Sequence, residues 1–301
     1  MAFESTSAGI AASIYLALYT FYLFLVINVV RQKGFHFLYR ILLLFGLFRV
    51  GGQLCGVAFA VLGIEHWHWL IAYLVLTAEG YFSLIIAAFH FIIQSQVTQT
   101  GSSWLQKKKG DDKKKHKLWI LNRLSNLSWS FCFHINLIPA NALIIAGGTM
   151  LTGIDPSKLS EEQSKVTTSK ALRTAGQAIF LIETIIVVLL SIYVYVKERI
   201  RCRAIYLLFA ASPFLLVRGI FGILSIYVDK MNYYQLSNYD GTGLTSQFVA
   251  YEYCLATTME FVAACLLISN YYLENNQKVS ETENFNKIES EESICKPQNG
   301  T

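Results

Sequence analysis

Seven continuous apolar runs constrain this chain more than any other feature of its sequence. They lie at about 9–30, 41–62, 69–94, 130–150, 174–196, 204–228 and 249–272. A helix needs roughly 20 apolar residues to cross the ~30 Å hydrocarbon core of a bilayer, and each run meets that length. The runs are continuous rather than alternating at every second residue, which excludes a membrane β-barrel. Composition agrees: 54% of the 301 residues are hydrophobic and 15% are charged, whereas a soluble domain carries roughly a quarter charged. The expected fold is therefore an all-α integral membrane protein, a seven-transmembrane helix bundle over residues 1–272. The segment from 273 to 301 holds six Glu and three Lys among polar residues. It has too little apolar surface to fold and reads as a disordered acidic tail.

Orientation follows from the distribution of Lys and Arg. Segments 31–40, 95–117 and 197–203 carry 3, 7 and 4 of them, against 0, 0, 4 and 1 in segments 1–9, 63–68, 151–173 and 229–248. That asymmetry predicts an outside or lumenal N-terminus and a cytoplasmic C-terminus. The N-terminal run lacks a basic n-region and is long enough to span, so it reads as a helix rather than a cleaved signal. The densest basic stretch holds Lys107, Lys108, Lys109, Lys113, Lys114, Lys115 and Lys117. It serves as a topology signal, or as a contact for anionic lipid headgroups at about 1 kcal/mol per Lys near the surface. Trp119, Leu121, Leu124, Leu127 and Trp129, just beyond, suit an interfacial helix.

Deep inside the runs stand Arg49, Glu79, Glu183, Arg218 and Glu260. At about 1.5 Å per residue each lies roughly 9–18 Å from the nearer membrane face. An ionised side chain at the bilayer centre costs about 2.5–3.5 kcal/mol on insertion scales, so these residues are expected to face the bundle interior and pair. The natural pairing sets Arg49 and Arg218 against Glu79 and Glu260, with Glu183 nearby. Such pairs lock a bundle's register, or they line a site that works.

The five fall in matching contexts. FGLFR ends at Arg49 and FLLVR at Arg218; LVLTAE ends at Glu79 and LATTME at Glu260. An Arg-bearing span followed by a Glu-bearing span thus occurs twice, which suits a parallel 3+3 repeat of spans 1–3 and 5–7 with span 4 as linker. Gly222 and Ser225 follow Arg218 on its own helical face, where small residues let neighbouring helices approach. Pro213 precedes Arg218, releases a backbone carbonyl and marks a kink or hinge that Ser212 can partly relieve.

Other chemistries lack their residues. The six histidines form no HExxH pair, so no metal site is expected. Span seven has no Lys for a retinal Schiff base, and no glycine-rich phosphate loop is present. No cofactor, enzymatic activity or nucleic-acid binding is expected. The six cysteines lie within spans, on the cytoplasmic side or in the tail and read as packing residues rather than a disulfide framework.

VVRQKGFHFLYR (29–40) before LFRVGGQLCGVA, with ASPFLLVRGIFGILSIY (211–227) and YCLATTMEFV (253–262), resembles a fungal family of seven-span membrane proteins of unknown function. The likeness covers about residues 8–272 and falls on Arg49, Pro213, Arg218 and Glu260. The chain is more distantly similar to the RTA-like lipid-translocating exporters of fungi. The resemblance implies a fold but no activity; the intramembrane Arg and Glu residues, whose exchange of partners would gate a central cavity, point to a transporter or translocase of a lipid-like or small organic solute. A receptor for an extracytoplasmic ligand and a non-transporting scaffold are the alternatives. Plasma membrane and endomembrane are not distinguished.

Overall fold

The structure is a computed structural model, and it describes residues 3–34, 37–105, 129–150, 163–240 and 243–274. The seven lysines of 107–117, the interfacial helix expected before Trp129, and all of the tail beyond Glu274 lie outside those residues. Seven helices are described: α1 (Thr6–Lys33), α2 (Phe37–Leu62), α3 (His68–Thr100), α4 (Trp129–Thr149), α5 (Gln163–Val196), α6 (Arg203–Tyr227) and α7 (Ser246–Glu274). By length and composition, six of them are apolar enough to cross a membrane, all except α4. In α4 the qualifying apolar stretch is the shorter Phe133–Thr149, with Pro139 inside the helix. This is consistent with an all-α, multi-pass membrane bundle.

The helices overrun the apolar stretches that announce them. Helix α5 begins at Gln163 instead of 174, because Gln163–Arg173 is polar yet rich in helix-compatible residues. Its Thr167, Thr168 and Thr174 hydroxyls each donate to the carbonyl four residues back. A membrane limits where apolar residues must end, but a helix can continue into the headgroups.

Large apolar side chains point outward all round, Phe21, Phe24, Leu54, Ile182 and Leu189 among them, each more than half exposed. A soluble monomer rarely presents so continuous an apolar surface, and lipid is the solvent that suits it. Helix α3 is the most enclosed and touches α2, α4, α5 and α6. At one end of the bundle a short hairpin pairs Tyr239 with Leu244 and Asp240 with Gly243. Ser5 Oγ donates to the Leu244 carbonyl at 3.1 Å, tying the chain's start to the α6–α7 connection. At the opposite end Gln96 and Trp104 both donate to the Glu198 carboxylate, at 2.8 and 2.6 Å for the closest contacts.

Candidate functional site

Arg49 of α2, Arg218 of α6 and Glu260 of α7 meet in the middle of the bundle. Arg49 Nη2 is ion-paired with Glu260 Oε2, and Arg218 Nε donates to Glu260 Oε1 at 2.5 Å. Arg49 and Glu260 are each 1% exposed and Arg218 is 6% exposed, so these charges depend on one another for solvation. Aromatic faces complete the shell: Arg49 lies 5.7 Å from the Tyr19 ring centroid and Arg218 4.8 Å from that of Tyr81. Tyr81 is itself held by Thr184 at 2.9 Å and by the Leu215 carbonyl at 3.1 Å. Helix α3 passes Arg49 closely because residue 80 is glycine; a Cβ there would stand 2.9 Å from Arg49 Nε.

A second carboxylate, absent from the sequence-based set, joins them. Glu252 is 4% exposed, accepts a hydrogen bond from Tyr73 Oη at 3.2 Å, and lies in the fields of Arg218 and, less strongly, Arg49. A regular α-helix would set residues 252 and 260 about 80° apart around its axis. Helix α7 is not regular: Tyr253–Thr257 forms a π turn, in which Thr258 Oγ1 donates to the Tyr253 carbonyl at 2.6 Å. One inserted residue brings the two positions to within about 20° of a common face. Two arginines and two carboxylates thus gather as a quartet, in which Glu260 is ion-paired to both arginines and Glu252 stands beside them, held by Tyr73. A polar residue at the start of a predicted span, followed by a Thr-Thr pair, was the only signal available in the sequence.

Glu79 and Glu183 stand elsewhere. Glu79 is half-buried on α3 and accepts from Asn141 Nδ2 at 2.5 Å; Glu183, buried on α5, faces Asn136 Nδ2 at 3.5 Å. The pairing expected between Glu79 and an arginine is replaced by double use of Glu260, because α4 places its asparagines against both other glutamates. Pro213 lies inside α6 as expected. Ser212 Oγ donates at 2.8 Å to the Leu208 carbonyl, the neighbour of the Phe209 carbonyl that the proline leaves without its donor. Gly222 serves the close approach of α5, since a Cβ there would overlap Gln177 Oε1.

A cavity of about 100 Å³ opens at the end of the bundle that carries the hairpin, among α3, α4, α5 and α6. Arg218 and Glu252 line it, so the quartet is in contact with a space of its own. Ile71, Leu74, Ile144 and Phe221 supply apolar wall, and Arg173 and Gln177 supply the polar side along α5. Tyr233 and Tyr234, from the α6–α7 connection, also border it. Tyr234 Oη donates to the Gly148 carbonyl at 2.9 Å, and the Arg173 guanidinium stacks 4.2 Å from its ring centroid. Burial pushes the Tyr234 phenol above its ordinary value against the opposing pull of Arg173, which keeps it a neutral donor. Tyr19, Tyr22, Phe45 and Phe89 are fully buried in the core that fills the rest of the bundle.

Among the described residues no group of three or more His, Cys, Asp or Glu is placed to hold a metal ion. His90 and His134 do meet, at 3.4 Å between their Nε2 atoms, with no third ligand among the described residues. No protein-family model, curated protein or solved structure matches this chain. The geometry therefore stands on its own chemistry: an ion-paired centre that shares one wall with a half-polar cavity.

Proposed function

We propose that this protein is a seven-span transporter or translocase of a lipid-like or small organic solute, and not an enzyme. Its N-terminus would lie outside and its C-terminus in the cytoplasm, as a member of the fungal seven-span group resembling lipid-translocating exporters. The observation that carries this reading is the contact between the cavity and the quartet. Arg218 and Glu252 face the cavity while Arg218 also holds Glu260. A solute that drew Arg218 away from Glu260 would weaken the contact between α6 and α7. Exchange of ion-pair partners is a discrete two-state element of the kind that alternating access requires. The lysines of 107–117 would then rest on anionic headgroups at the cytoplasmic face.

A receptor reading rests on the same cavity, with a ligand from the open end moving α6 and the cytoplasmic loops responding. Reconstituted vesicles separate the two. Vesicles containing the protein should pass a fluorescent acyl lipid or a labelled short-chain organic solute faster than protein-free vesicles. Arg218→Ala should abolish that flux while inserting normally. Unchanged flux in the variant, or none in either protein, would sink the transport reading.

A further inference from the structure

We infer that the cavity is a binding site for a carboxylate on an apolar stem, with Arg173 as the residue that recognises the charge. The inference specifies the solute class of the proposed transport site and takes its meaning from that reading.

Within the quartet, Arg49 and Arg218 both already hold Glu260. Arg173 adds one positive charge to the same cavity, and among the described residues no carboxylate pairs with it. Its Nε is buried without a hydrogen-bond partner, and so is Gln177 Oε1, one helical turn further along α5. A buried polar atom left without a partner is costly, and both side chains line the cavity, so a small turn of either would let a bound polar group satisfy it. Arg173 cannot swing out to water at no cost. Its side chain lies against the Tyr234 ring, and Gly147 is glycine where a Cβ would stand 2.8 Å from Arg173 Cγ.

A guanidinium held over a phenol ring suits a planar oxyanion, which it can bind through two parallel hydrogen bonds. Gln177 offers its amide oxygen to a hydroxyl or, rotated, its NH2 to the second carboxylate oxygen. The positive charge of Arg173 matches a monoanion, and a cavity of about 100 Å³ admits a carboxyl group with a few carbons. The remaining wall is apolar, which selects an alkyl stem over a sugar or an amino acid. At the inner end the bound carboxylate would approach Arg218, the arginine whose exchange of partner the transport reading requires.

The test is equilibrium binding of radiolabelled hexanoate to the full chain in phosphatidylcholine nanodiscs, with hexanol and hexylamine as competitors. Saturable binding is expected that neither competitor displaces at equal concentration. Arg173→Gln should weaken it about tenfold or more, the loss of a charge-assisted hydrogen bond. Arg173→Lys should recover part of that loss, and Gln177→Leu should weaken binding by a smaller factor. Should Arg173→Gln fail to fold, the Lys and Leu variants and the competitor series still decide. Absence of saturable binding, displacement by either competitor, or wild-type affinity in the folded Arg173→Gln variant would overturn the inference. Arg173-dependent binding without flux would remove the transporter and leave the site. Flux of another solute without hexanoate binding would remove the site and leave the transporter.

Discussion

Arg49 and Arg218 end the same five-residue pattern on two helices and share one carboxylate, yet they live in different surroundings. Arg49 is sealed by Tyr19, Thr77 and the backbone at Gly80, with Nη1 making a long 3.5 Å contact to Thr77 Oγ1. Arg218 holds the same Glu260 but lines the cavity on its other side. Their expected partners differ as well: Glu260 takes both arginines, while Glu79, its counterpart in the motif, takes Asn141. Similar local sequence therefore assigns similar depth without assigning similar work. The α2–α3 side behaves as a fixed anchor, and the α6–α7 side carries the π turn, the proline and the cavity wall.

The largest test of that asymmetry compares the two glutamates. Glu260→Gln leaves two buried arginines short of an anion and should cost about 3–5 kcal/mol of stability. Glu79→Gln replaces one hydrogen-bonded acceptor by another and should cost about 1 kcal/mol or less. Chemical unfolding of the purified variants in mixed micelles reads both. Equal losses would mean that Glu79 shares the arginines after all.

Next in size is the contrast between the arginines themselves. Arg49→Gln should cost more stability than Arg218→Gln, by about 1–2 kcal/mol, because water in the cavity can solvate what Arg218 leaves behind. Flux should show the reverse order of tolerance, with residual activity in the Arg49 variant where it folds. The same order in both assays would dissolve the distinction between anchor and working arginine.

Depth was legible in the sequence, and azimuth was not. The apolar runs announced the helices, and charge inside such runs singled out Arg49, Arg218 and Glu260. Which glutamate each arginine faces depends on helix rotation, and two asparagines of α4, Asn136 and Asn141, settle it by occupying Glu183 and Glu79. Being uncharged, they stood out little among apolar neighbours. Glu252 was hidden by the π turn, which shifts the face a carboxylate presents without altering composition. Arg173 was hidden differently: it precedes the apolar run of its helix and counts as a loop cation until α5 is seen to begin at Gln163.

The smallest effects concern two glycines that border the two arginines. In both positions alanine gains about 0.5–1 kcal/mol of helix propensity over glycine, so the sign of the net change reports what the new methyl meets. At residue 80 it would stand 2.9 Å from Nε and 3.3 Å from Cδ of Arg49, a side chain pinned at its far end by Glu260. The anchor has nowhere to move, and Gly80→Ala should destabilise by about 1–2 kcal/mol net. At residue 222 the methyl would overlap the terminal amide of Gln177, a flexible group beside the cavity that can swing into open space. Gly222→Ala should therefore be neutral within about 0.5 kcal/mol in unfolding experiments. Opposite behaviour, with residue 222 intolerant and residue 80 permissive, would place the rigid side of the bundle at α5–α6 and reverse the roles assigned to the two arginines.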